Sequence, residues 1–143
     1  MYAKHAVMEY IPGGAWTGEQ TAAIIERMKA LDAEHGFGFY PIVRKRSAAL
    51  IGHAGLGYLE RTPEVEIAYV LDDTCWGQGF ATEVARALIA HAFTRIGLER
   101  VVAVAFPANQ RSVSVMQRAG MTLVGKAFHF GTDVVKYEAK LGR

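Results

Sequence analysis

The run Trp76-Gly77-Gln78-Gly79-Phe80-Ala81 places two glycines one residue apart, after a strand-like stretch and at the start of a helical one. The first N–H groups of such a helix lack internal partners and lie at its positive end, which makes an anion site. A tight strand-to-helix turn with no ligand is the other reading of a lone glycine pair. The third glycine of a dinucleotide fingerprint is missing, and so is the Lys-Ser/Thr of a nucleoside-triphosphate loop, so neither nucleotide class fits. Just upstream, Glu64 and Glu66 fall on one side of an alternating strand, about 7 Å apart, where like charges would raise one of the two pKa values. Two solvated surface carboxylates is the alternative. The histidines at 5, 35, 53, 91 and 129 show no metal-ligand spacing, and no metal is expected. His53 and His129 read either as borders of a pocket or as structural residues. Cys75 has no histidine at an informative spacing and reads as packing.

The elements that must position these residues follow from periodicity. Thr17-Gly18-Glu19-Gln20 is a capping-box signal, and Ile24, Ile25, Met28 and Leu31 recur at helical spacing before Gly36, which predicts a helix over 17–34. Tyr10-Ile11-Pro12-Gly13-Gly14 reads as a loop. Strands are predicted over 37–45, 49–59 and 64–71, the first two as an antiparallel pair. A helix over 81–96 stops at Gly97, a strand over 100–106 ends at Pro107, and a short helix over 112–119 closes at Gly120. Strands over 121–125, 127–130 and 134–141 finish the chain, turning at Gly131-Thr132-Asp133. Strand, helix and strand across 64–106 leave room for a parallel right-handed crossover. The fold class is therefore mixed α/β (α+β).

The chain has 143 residues, which fits a single domain spanning 1–143. Its 51% hydrophobic content excludes a disordered chain. A formal charge of +2, with scattered basic residues, argues against a nucleic-acid partner. No apolar run reaches the roughly 18 residues that span a bilayer, so no membrane partner is expected and the location reads as cytoplasmic. A single cysteine excludes an intramolecular disulfide.

Several motifs together resemble the GNAT superfamily of N-acetyltransferases. They are Glu66-Ile67-Ala68-Tyr69-Val70-Leu71, then Trp76 to Glu83, Ile51-Gly52 with Gly55-Leu56, Arg100 to Ala103, Pro107 with Asn109 and Ser112, and Arg118-Ala119-Gly120-Met121. Within that superfamily the pattern is most similar to the RimJ/RimL-type ribosomal-protein N-terminal acetyltransferases. The resemblance implies a mainly antiparallel sheet with one splayed parallel strand pair, flanked by helices. It also implies acetyl-CoA as cosubstrate, its pantetheine arm between the splayed strands beside Tyr69, Val70 and Leu71. The pyrophosphate would then rest on the N–H groups of Gly77, Gln78, Gly79, Phe80, Ala81 and Thr82. Asn109 would hydrogen-bond the cosubstrate, or act as a helix N-cap.

Transfer to an amine needs a base, because an alkyl ammonium near pKa 10 is protonated at neutral pH. Glu66, beside the implied thioester, is the candidate, with Glu64 behind it. A backbone N–H near Tyr69 or Val70 would stabilise the oxyanion. Many relatives supply a tyrosine as general acid where this chain has Met116, so Ser112 is the replacement, a capping serine being the bland alternative. The amine, on a protein N-terminus or a small molecule, would attack directly in a ternary complex. Trp76 stands where relatives carry Arg or Gln, which leaves the phosphates to backbone contacts. Trp16, Phe37 and Tyr40 read as either acceptor wall or core. Relatives begin with a further strand and helix before the segment resembling Val7 to Gly14, and the exposed edge this implies predicts a homodimer. A non-catalytic acyl-CoA-binding protein is the alternative.

Overall fold

The computed structural model describes residues 1–11 and 14–142. Pro12 and Gly13 of the predicted loop, Arg143 and the Leu31 side chain of the predicted helical stripe lie outside the described residues. A short helix α1 (His5–Met8), which the sequence pattern does not announce, is followed by α2 (Gly18–His35). Thr17 caps α2 with the reciprocal Thr17–Gln20 bonds of the capping box, and Gly36 ends it in the left-handed conformation at φ 77°. Of its apolar stripe, Ile24 and Met28 are partly buried, while Ile25 is exposed.

Strands β1 (Phe39–Val43), β2 (Leu50–Tyr58) and β3 (Val65–Leu71) form an antiparallel meander, each shorter by a residue or more than the pattern predicted. Helix α3 (Phe80–His91) continues through a widened turn at Ala92–Ile96 to Gly97. It carries the chain across to β4 (Arg100–Ala105). Helix α4 (Gln110–Arg118) then leads into β5 (Thr122–His129) and β6 (Thr132–Lys140). The two short strands predicted over 121–130 are one strand, because a bulge between Leu123 and Gly125 absorbs the break in alternation. The six strands run in the order β1-β2-β3-β4-β6-β5, a mixed sheet whose one parallel pair is β3–β4.

Helices α3 and α4 cover one face, where Leu56, Ile67, Val101, Ala103 and Tyr137 pack with Leu88, Ile89 and Val113. On the other face Val7 and Met8 of α1 pack on Val70. The N-terminal segment is pinned there by Tyr2, whose hydroxyl lies 2.8 Å from His53 Nδ1 and whose ring contacts Trp16. Burial pushes the His53 imidazole down to about 4, so it is neutral in the fold. No described helix is long and apolar enough to cross a membrane.

Two glycine classes separate in this fold. A Cβ at Gly55 would lie 2.0 Å from the Gly38 carbonyl oxygen and 2.5 Å from Phe39 Cα, so the strands approach too closely for any side chain. A Cβ at Gly77 meets nothing within 4 Å, and only its φ of +77° favours glycine. Gly55→Ala should therefore cost about 2–3 kcal/mol of unfolding free energy, and Gly77→Ala only about 1 kcal/mol. Urea unfolding of both variants checks the ranking.

Candidate active site

The β3–β4 pair faces at a single register position, Glu66 against Val102. Before that point an ion network holds the strands together. Glu64 accepts from both Arg100 and Lys136, and Arg100 Nε donates to Glu138 at 2.6 Å, so one cluster ties the entries of β3 and β4 to β6. Beyond it the strands part, and a cavity of about 550 Å³ opens between them.

Glu66, Tyr69, Val70, Leu71, Asn109 and Ser112 all line this cavity, as do Gly77, Gly79, Phe80, Ala81 and Thr82 of the turn. Gln78 does not; its side chain turns back to donate to the Thr74 carbonyl at 3.3 Å. Gly77 and Gly79 both take positive φ, and Gly79 is the N-cap of α3 with no side-chain cap bond, which leaves the first-turn N–H groups facing the cavity. Asn109 is at the cavity wall, but its Oδ1 accepts from the Ser112 N–H at 3.3 Å. The N-cap reading of Asn109 is thus the one the geometry realises.

The expected coupling between the two carboxylates is absent. Glu64 is held by Arg100 and Lys136, which keep its pKa below the usual value. Glu66 is instead pushed up to about 7 by burial, with a smaller push from Glu60. No described side chain hydrogen-bonds its carboxylate.

Ser112 is oriented by Tyr69, whose hydroxyl lies 2.9 Å from Ser112 Oγ. Met116, standing where a tyrosine would donate, is buried at 2% exposure and packs in the core. Cys75 lines the cavity and packs with Ile51 and Leu71. His53 and His129 do not line it; His53 bonds Tyr2, and His129 Nδ1 lies 2.8 Å from Glu60. Phe37 is core, Tyr40 bonds Asp32, and Trp16 stacks on His53.

The sequence pattern does not single out Arg111. Its guanidinium lies 4.1 Å above the Trp76 ring centroid, at the cavity wall beside the glycine turn. The available signal was its place in the first turn of the helix after Asn109, next to Ser112. The aromatic residue at 76 therefore holds a cation near the turn that residue 76 itself does not carry.

The parted parallel pair and the uncapped end of α3 thus meet at one cavity. The chain belongs to the GNAT acetyltransferase family: residues 1–122 match the family model described as the acetyltransferase (GNAT) domain. It is 31% identical over 119 residues to the uncharacterized N-acetyltransferase YnaD of Bacillus subtilis, covering 83% of this chain and 68% of that protein. It spans only 61% and 55% of two further curated N-acetyltransferases of Bacillus species. Among solved structures, a GNAT-family acetyltransferase from Bacillus anthracis superposes with a TM-score of 0.83 at 25% identity, covering 97% of this chain and 84% of that one. Aminoglycoside acetyltransferase AAC(6')-Ib, solved with coenzyme A, shares the fold at TM-score 0.79 and 16% identity, covering 97% of this chain and 84% of that one.

The raised pKa of Glu66 has a stability consequence. The fold holds its proton more tightly than the unfolded chain does. That contribution is fully present below about 4.5 and is lost as pH rises through about 7. Glu66→Gln should melt with the parent protein at pH 4 and above it at pH 8, by a margin on the order of 3 kcal/mol. Thermal unfolding at the two pH values tests this, and an equal margin at both would exclude burial of the charge as the cause.

Proposed function

We propose that this protein transfers an acetyl group from acetyl-CoA to a primary amine by direct attack in a ternary complex. The observation that carries the reading is Glu66, a half-buried carboxylate on the cavity wall with its pKa pushed up to about 7 by desolvation, at the point where β3 and β4 part. The finer likeness to the RimJ/RimL branch rests on the motifs of the sequence.

The residues present suit the cosubstrate. The parted edges of β3 and β4 offer backbone groups beside Tyr69, Val70 and Leu71 to an extended amide-bearing arm. Gly77, Gly79, Phe80, Ala81 and Thr82 line the cavity at the positive end of α3, where diphosphate charge is favoured. Arg111 adds a cation beside them. Asn109 serves by fixing the turn that presents Ser112. Acetyl-CoA, when bound, supplies an activated acetyl thioester.

Glu66 takes the proton that must leave the ammonium. An amine near pKa 10 loses it to a group near 7 at a cost of about 4 kcal/mol, and the apolar surroundings lower the amine's own pKa and reduce that cost. Ser112, held by Tyr69, is a hydroxyl donor on the opposite wall for the departing sulfur. Metal ions have no part in this reading. The outer edge of β1, the first strand of the sheet, supports a homodimer, and light scattering at micromolar concentration should give twice the chain mass.

Calorimetry with acetyl-CoA and thiol release with a panel of amines test the transfer. Release should rise about tenfold per pH unit up to about pH 7 and then level, because the unprotonated carboxylate is the active form. Glu66→Gln should lower turnover about 10²–10⁴-fold while leaving acetyl-CoA affinity unchanged. Binding with no release from any amine would favour the non-catalytic acyl-CoA-binding reading, and no binding would overturn both.

A further inference from the structure

The transferase reading leaves the acceptor open, and assigning the acceptor from the cavity wall rests on that reading. Besides β3, β4 and the glycine turn, the N-terminal segment and the β5–β6 hairpin contribute to the cavity wall. Val7, Tyr10 and Ile11 come from the N-terminal segment, Phe106 flanks the end of β4, and Phe130 and Val134 come from the β5–β6 hairpin. Tyr10 meets Phe106 edge to face at 6.4 Å between centroids. These surfaces are apolar or aromatic throughout.

Glu66 is the one acidic side chain among the described lining residues. The two other carboxylates of this region lie outside the lining, Glu60 against His129 and Glu64 against Arg100 and Lys136. The remaining charges on the wall, Arg111 and Arg118, are cations. A polycationic acceptor would bring further ammonium groups into a space with no anion to receive them, and an unpaired buried charge is strongly disfavoured. A single ammonium can pair with Glu66, and an apolar body attached to it gains from burial against the aromatic wall.

Size adds a second restriction. The cavity of about 550 Å³ must also hold the acyl-bearing arm of the cosubstrate. The hairpin tip is tied across the sheet by the 2.8 Å contact of His129 with Glu60, a residue 69 positions earlier in the chain. From the lining, the charge inventory and the limited volume, we infer that the acceptor is a small monoamine carried on an apolar body, aryl-alkyl or branched alkyl. Polyamines, amino sugars and peptide N-termini are disfavoured.

Binding can be read without turnover. Phenethylamine, spermidine and tetraalanine are titrated calorimetrically into the full chain, both free and saturated with coenzyme A. Phenethylamine should bind at least about tenfold more tightly than either competitor. Phe130→Asp places a second carboxylate on the wall at a position with φ 55°, which aspartate tolerates, and should narrow or reverse the preference over spermidine. Spermidine or tetraalanine binding as tightly as phenethylamine to the unmodified chain, or no phenethylamine binding, would overturn the inference whether or not the variant folds. Selective phenethylamine binding without thiol release would count against the transferase reading and leave the acceptor pocket as described.

Discussion

Strands β3 and β4 run parallel yet meet at one register position, and the rest of the molecule is arranged around that constraint. A parallel pair needs a crossover, which α3 provides, and the crossover must begin with a turn that leaves the cleft open. Gly77 and Gly79 supply that turn. The strands would lose pairing energy by parting, and the structure offsets it at both ends. The cluster of Glu64, Arg100, Lys136 and Glu138 clamps the closed end, while α1 and the β5–β6 hairpin cover the exposed face above the opening. Each ion pair of a partly exposed cluster contributes little by itself. Its value lies in fixing where the strands stop pairing.

Local signals were legible in the sequence because their physics is local. The capping box at Thr17 and Gln20, the left-handed stops at Gly36 and Gly97, and the glycine turn each act within a few residues, and each stands where its pattern predicted. The motif resemblance extended this to a mainly antiparallel sheet with one parted parallel pair. What escaped were pairings between distant segments. Nothing near Glu60 announces His129, and nothing near Lys4 announces Asp72 and Asp73, to which its ammonium is bonded. The spacing of Glu64 and Glu66 suggested mutual repulsion, but Arg100 and Lys136, remote in sequence, neutralise Glu64. Burial, which spacing does not encode, shifts Glu66 instead.

Glu66 and Glu64 show how environment divides two identical side chains two residues apart. One is exposed enough to be solvated and meets two cations, so it stays ionised and stabilises the sheet. The other faces a cavity with apolar walls, and its charge is costly there. A carboxylate left in that position weakens the fold above neutral pH, a liability that the proposed proton transfer near pH 7 would account for. The same desolvation that raises its pKa would also favour the neutral form of an incoming amine, so one feature would serve both partners of the proposed transfer.

The wall opposite Glu66 follows a similar logic with neutral groups. Met116 fills the core, and a tyrosine there would have to find a partner for its hydroxyl or point it into the cavity. In this chain the phenol comes instead from Tyr69 on β3, and its hydroxyl reaches Ser112 rather than the cavity centre. Burial pushes the Tyr69 phenol up to about 12, although its bond to Ser112 acts in the opposite direction, so the phenol keeps its proton. Either hydroxyl can donate in that pair, and the phenol also reaches the Ser112 carbonyl, so Tyr69 holds the serine against the cavity wall. Asn109 fixes the same serine through its backbone N–H. Side chain and main chain of Ser112 are thus held by separate residues, one from the strand and one from the cap of α4. That double restraint is what a small hydroxyl requires if it is to act at a defined position on the wall of a cleft.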